Sequence, residues 1–504
     1  MAPSGGGLAV YAGGVTADPA DDGGGADVDV LIVGAGLSGI GMACRLRREL
    51  PSTTFAIVEA RSAIGGTWDL FRYPGIRSDS DMYTLGYDFR PWRGARSIAD
   101  GPSILAYIQD TAAEYSVTDH VRFDTRAVAA SWSSAQARWT VTTESTATGP
   151  ATITARFLYM STGYYRYDEG YCPDFPGRER FTGTVVHPQH WPEDLDYSDR
   201  DVVVIGSGAT AVTLVPALAE RAAHVTMLQR TPTYIAALPS RDRVAGVLRR
   251  RLSERRAYAA IRRKNITSSA LSYQLSRRAP ALMKSLLRRG VRAQLPEGYD
   301  VDTHFAPPYN PWDQRLCLAP DGDFFQAIAQ GRAEVVTDRI ETFTETGIKL
   351  TSGRELRADI IVTATGLNLL VLGGIRLLVD GAPVAASTTV GYKGAMFSGV
   401  PNLAVALGYT NASWTLKCDL VAEYVCRLLT YMTDHGYRQV TPLRPPADLP
   451  TRPFIDFGAG YIQRSVADLP LQVDQDPWRL HQNYLRDRTL FLTAPLQDRG
   501  VQFN

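Results

Sequence analysis

Two stretches of the chain follow one plan: an apolar run, a glycine-rich turn, a helix with one apolar face, and a second apolar run. In the first, Val28-Asp-Val-Leu-Ile-Val33 predicts a strand buried on both faces, since such strands read as near-continuous apolar segments. It leads into Gly34-Ala-Gly36-Leu-Ser38-Gly39. Ile40, Met42, Ala43 and Leu46 then predict a helix from Ser38 to about Leu50, and Thr54 to Glu59 the next strand. The second stretch repeats this with the strand Asp201-Val-Val-Val-Ile205, the turn Gly206-Ser207-Gly208-Ala209-Thr210-Ala211, a helix from Thr210 to Glu220, and the strand His224 to Gln229. Further strands are expected at Glu334–Val336 and Ile348–Leu350. Phe157–Met160 and Asp359–Ala364 share a form, an apolar strand running into Thr-Gly.

The expected fold is therefore α/β, with two dinucleotide-binding, Rossmann-like domains, the second inserted in the first. We place the first domain at residues 27–164 and 350–504 and the second at 165–349, with a basic helical insertion over residues 236–300. Residues 1–26, rich in Gly, Ala and Asp, read as a disordered tail.

The turns carry the first chemistry. Gly34 permits a tight turn, Gly36 lets a pyrophosphate approach the backbone, and Gly39 allows close packing of helix on strand. The helix N-terminus favours the phosphate charge. Glu59, twenty residues after Gly39, can accept hydrogen bonds from both ribose hydroxyls, as FAD or NAD requires. In the second unit Gln229 and Arg230 stand in the acid's place. A guanidinium binds a 2′-phosphate with paired hydrogen bonds, where a carboxylate would repel it. The first site thus reads as FAD and the second as NADPH, with hydride passing between them.

Composition narrows the class. The 504 residues, 45% hydrophobic and 21% charged, are those of an ordinary globular protein. Five scattered cysteines, never in C-x-x-C spacing, fit a reducing cytoplasm and count against a disulfide reductase; no metal site is expected. The first Lys or Arg is Arg45, so no secretory signal is expected. The uncharged stretch from Gly394 to Leu416 reads as strands and turns. Net charge is +1, yet residues 241–293 hold 16 Lys or Arg against Asp242 and Glu254, a local +14 that leaves −13 elsewhere. We read this as a helical cap with a solvated basic face that draws NADPH inward. The alternative is a weak membrane-surface contact through residues 241–293, which would make a soluble, cytoplasmic protein peripheral to a membrane. No nucleic-acid partner is expected.

Between the two turns lies Phe181-Thr-Gly183-Thr-Val-Val-His187-Pro-Gln-His-Trp191-Pro192, which resembles the fingerprint of Baeyer–Villiger monooxygenases. With Gly65-Gly-Thr67-Trp68-Asp69-Leu70-Phe-Arg-Tyr-Pro-Gly-Ile-Arg77-Ser78-Asp79-Ser-Asp-Met-Tyr83 and Tyr309-Asn-Pro-Trp-Asp-Gln-Arg315, it makes nearly all of residues 27–500 similar to class B flavoprotein monooxygenases of the ethionamide-activating type. The resemblance implies that Ser38, Glu59 and Thr67 to Leu70 contact FAD. It places Asp79 near the isoalloxazine ring, and Arg77, Ser78, Gly206 to Val212, Arg230 and Thr231 on the nicotinamide nucleotide. Arg315 matches the catalytic arginine and Asp79 its carboxylate partner. Where many relatives carry a lysine before that arginine, Gln314 stands here. Phe181, Gly183, His187 and Trp191 read as positioning residues of an interdomain hinge.

The implied reaction is insertion of one oxygen atom of O2 into a ketone through a C4a-peroxyflavin, giving an ester or lactone. Arginine suits it as a cation that stays charged at every working pH. Alternatives are S- or N-oxygenation of thioethers, thioamides or amines, and a membrane-docked flavoprotein whose role is mainly association.

Overall fold

The computed structural model describes residues 27–504; the tail expected over residues 1–26 lies outside them. Val28–Val33 sits inside a nine-stranded sheet, parallel to Phe55–Val58 on one side and to the end of Gly149–Met160 on the other. Val30, Leu31 and Ile32 expose nothing. Both faces of the strand are covered, which is why its sequence does not alternate. On one face helix Leu37–Glu49 packs against Trp414–His435 within a single apolar cluster. On the other lie Trp132, Trp139 and their apolar neighbours.

Gly149–Met160 also continues an antiparallel meander with Arg138–Ser145 and Thr125–Ser133. The late chain returns to this sheet. Leu403–Val405 lies parallel to Leu158–Met160, and Arg376–Val379 parallel to Ala129–Trp132.

The second sheet has five parallel strands in the order Ala333–Thr337, His224–Gln229, Asp201–Ile205, Ile360–Thr363 and Thr184–Val186. This moves the expected boundary at residue 350. Ile360–Thr363 is apolar but for its last residue and wholly buried, and it finds that burial between Asp201–Ile205 and Thr184–Val186. The second domain therefore keeps the chain until about residue 365, and the crossing lies at the end of that strand instead of ahead of it.

The two crossings meet. Tyr165–Gly170 and Leu367–Leu369 pair antiparallel, with Tyr165 opposite Leu369 and Gly170 opposite Leu367. The insertion consists of helices Arg243–Arg251, Glu254–Arg278 and Pro280–Arg292, pinned at its base where Ile235–Leu238 pairs with Cys317–Pro320. One of its arginines departs from the expected solvated face. Arg262 is buried, donating to the carbonyls of Tyr83 and Gly86 and to Asp419 at 2.9 Å, and so locks the insertion to helix Trp414–His435. Gly394–Leu416 contains strands Met396–Phe397 and Leu403–Val405 before a helix opens at Trp414. Among the described residues no helix is long and apolar enough to cross a membrane.

Candidate active site

A cavity of about 1570 Å³ runs between the domains and is lined by both glycine turns. At the first, Gly34 has φ 103°, and a Cβ there would stand 2.6 Å from the carbonyl oxygen of Ser161. Only glycine can turn the chain here. Gly36 and Ser38 face the cavity, and Gly39 is buried beneath it. Glu59 is buried at the end of its strand and accepts from the N–H of Ala35 (2.7 Å) and of Arg61 (2.9 Å). Burial raises the pKa of its carboxyl against those two bonds. It thus braces the turn while still lining the cavity. At the second turn Gly206, Ser207, Gly208, Ala209 and Thr210 line the cavity, while Ala211 and Val212 are buried in the core behind. A Cβ on Gly208 would meet nothing within 4 Å. The cradle is open where a phosphate would lie, at the start of helix Ala209–Leu218.

The segment from Gly65 to Tyr83 spans the two domains. Phe71 and Tyr73 are buried in the core of the second domain and, with Thr67, Trp68 and Leu70, also line the cavity. Asp69, expected beside the flavin, is not on the cavity wall. It is buried in ion pairs with Arg61 and Arg72, two cations that fall within one helical turn of it or just upstream. Arg77 and Ser78 line the cavity, and Arg77 is ion-paired with Asp323 of the second domain.

Arg315 and Asp79 come together in the same cavity, Nε to Oδ2 at 3.4 Å. Tyr164, Tyr165, Tyr461 and Trp414 form the adjoining wall. Tyr164 lies 4.5 Å from Tyr165 and 4.9 Å from Trp414, ring centre to ring centre. Burial opposes the charge on Arg315, but Asp79 and the phenols of Tyr461, Tyr165 and Tyr164 outweigh it and raise the guanidinium pKa above its usual range. Burial pushes the neighbouring Cys317 thiol up to about 12, so this is a weak nucleophile. The loop carrying Arg315 is clamped to helix Glu254–Arg278 by the Arg277–Asp313 ion pair and by Tyr273 packed edge-on to Trp312. Gln314 lines the cavity too.

Arg230 and Thr231 line the end of the cavity at the second turn, where Ser207 donates to the Thr231 carbonyl at 2.9 Å. Arg230 is exposed and has no ion pair among the described residues. The side chain of Gln229 turns the other way, to His304 and Thr337. Arg339, exposed at the end of the neighbouring strand, lines the same end; sequence reading did not single it out.

The fingerprint residues stand off the cavity. Phe181 packs edge-on to Phe343, Gly183 lies against the Asp359 carbonyl, and Trp191 stacks edge-on to Tyr197. His187 Nδ1 accepts from the Gln189 N–H at 3.2 Å, which leaves the proton on Nε2 facing the Gly366 carbonyl at 3.2 Å. The other side of its ring abuts Gly170. The buried Gln189, also missed, donates to the carbonyls of Arg166 and Tyr167, both 2.9 Å. The pair thus grips both interdomain crossings. Among the described residues no cluster of side chains could hold a metal ion.

The pyridine nucleotide-disulphide oxidoreductase family matches residues 31–276. The chain is 56% identical to the FAD-containing monooxygenase EthA of Mycobacterium tuberculosis, over 94% of this chain and 97% of that one. It is 53% identical to the FAD-containing monooxygenase EthA of Mycolicibacterium smegmatis, over 94% and 96%. Among solved structures, an oxidised steroid monooxygenase bound to NADP superposes with a TM-score of 0.74 at 24% identity, over 94% of this chain and 99% of the other, a likeness of fold.

Proposed function

The chain belongs to the FAD-containing monooxygenases, and from that premise we propose that it inserts one oxygen atom of O2 into a ketone, using FAD and NADPH, to give an ester or lactone. The buried acceptor Glu59 beside the first turn suits the FAD ribose, and the unpaired Arg230 beside the open second turn suits a 2′-phosphate. When bound and reduced by NADPH, FAD would supply the means of activating O2.

The residues of the chain do the rest. Gly34, Gly36 and the start of helix Leu37–Glu49 would hold the FAD pyrophosphate, and Gly206 to Thr210 that of NADPH. Arg77, Ser78 and Asp79 lie between them on the cavity wall. Arg315 is a fixed cation where negative charge develops on oxygen, and Asp79 orients it. Tyr164, Tyr165, Tyr461 and Trp414 give that charge an aromatic flank. His187 and Trp191 position the domains and touch neither nucleotide turn.

The observation that carries this reading is Arg315 paired with Asp79 in the one cavity that both nucleotide turns share. A product screen by mass spectrometry, with NADPH, against cyclic, linear and aryl ketones and thioethers tests it. Esters or lactones from ketones support it. Sulfoxides alone, with ketones untouched, would replace it with heteroatom oxygenation.

A further inference from the structure

The basic insertion exposes more than charge. Seven of the ten exposed large apolar side chains among the described residues fall between residues 241 and 293. Four of them form two pairs at i, i+4 spacing: Leu271 and Leu275 on helix Glu254–Arg278, and Leu282 and Leu286 on helix Pro280–Arg292, each 41–65% exposed. Residues so spaced share one helix face. The helices are consecutive and pack on each other, with Ala279 alone between them. Arg278, Lys284 and Arg289 are interspersed with these leucines and form no ion pair among the described residues, unlike Arg277, Arg288 and Arg292.

We propose that this helical hairpin is a docking surface for an anionic lipid membrane, on which the protein lies without crossing. Leucines left in water beside unpaired cations match a bilayer surface, whose anionic headgroups meet the arginines while the acyl boundary takes the leucines. A nucleic acid would leave the leucines facing water. A second copy would set two strongly basic segments against each other. The interior of the hairpin is built to bear the load: Arg262 is locked to Asp419, and the Arg315 loop is braced on the same helix through Arg277 and Tyr273. Docking would therefore set the active-site loop beside the lipid.

The test is co-sedimentation of the full-length, FAD-loaded protein with vesicles of phosphatidylcholine, with and without phosphatidylglycerol. Wild type is expected to sediment with the anionic vesicles and to keep part of its binding at ~0.5 M salt, where exposed charges are screened. The combined change Leu271→Ser, Leu275→Ser, Leu282→Ser and Leu286→Ser is expected to cut the high-salt partition about tenfold or more, since apolar insertion scales with buried area. Its flavin content and NADPH oxidation without vesicles should be unchanged. Arg278→Glu with Arg289→Glu should abolish the preference for phosphatidylglycerol. Wild type staying in the supernatant would overturn the proposal. So would a leucine variant that binds like wild type with all binding lost in salt, the behaviour of a general polyanion site, nucleic acid included. A leucine variant that changes only oligomeric state would instead assign the surface to a second copy and refute lipid docking.

Discussion

Arg315 Nε stands 3.4 Å from Asp79 Oδ2, although the two residues come from different domains. One carboxylate oxygen holds one edge of the guanidinium and leaves its other N–H groups to the cavity. The pair forms only when the domains are in register, so domain placement and charge placement are one variable here.

Arg315→Ala should lose ester formation by roughly a hundredfold or more, the usual loss when one key oxyanion donor is removed. FAD should stay bound, and NADPH should still be oxidised with release of hydrogen peroxide. Arg315→Lys should rescue poorly, because an ammonium lacks the planar fork. Product yield per NADPH, measured together with peroxide, checks this. A normal yield from the alanine variant would remove Arg315 from the chemistry.

Arg230→Ala should lower kcat/KM for NADPH by about 1.5–3 kcal/mol, as for a charged hydrogen bond, and leave NADH little changed. Arg339→Ala should weaken NADPH in the same direction, and the double variant should discriminate least between the two nucleotides. Equal losses for NADPH and NADH would mean that neither arginine reads the phosphate.

Wild type should carry about one FAD per chain, since only the first turn has an acid at the ribose position. Gly34→Ala places a side chain at φ 103° and 2.6 Å from a carbonyl oxygen. A strained residue of this kind costs on the order of 1–3 kcal/mol before the clash is counted. The variant should purify colourless or unstable. A yellow variant of normal Tm would contradict the described turn.

His187 supplies a pH dependence. Burial, its largest influence, holds the imidazole below the usual 6.5 despite the bond to the Gly366 carbonyl. Below 6.5 the unfolded chain binds the proton more readily than the folded one, so folding stability rises with pH across that window. The contribution is complete above 6.5 and is lost as pH falls through the folded value. The Tm advantage of wild type over His187→Gln should therefore be largest near neutrality, worth ~1 kcal/mol for the bonds concerned, and shrink toward pH 5. An advantage that grows in acid would show that His187 carries charge.

Much of the scaffold was legible because strands buried on both faces read as mostly apolar runs that do not alternate. Val28–Val33, Asp201–Ile205 and His224–Gln229 announce themselves in this way. The boundary at 350 misled because Ile360–Thr363 looks the same whichever sheet buries it. The part Asp69 plays in tying Arg61 and Arg72 together had no signal, since neither the motif nor any period in the sequence pairs these three residues. The aromatic wall was invisible, since Tyr164, Trp414 and Tyr461 come from three distant segments with no shared period. Arg339 did have a signal. Chain segments leaving adjacent parallel strands at their C-terminal ends converge on one crevice, and Arg339 follows the strand beside that of Arg230.

The nesting of one domain within the other also sets a schedule for synthesis. The first sheet places Leu403–Val405 directly beside Leu158–Met160. At roughly 5–20 residues per second, the ribosome would deliver the later strand some tens of seconds after the earlier one. During that interval the second domain, complete by about residue 365, can fold and bring Tyr165 and Leu369 together. Its closure shortens the effective loop that the first sheet must still close, lowering the entropic cost of joining early strands to late ones. The inserted domain would thus act as the clamp on which the enclosing domain is assembled.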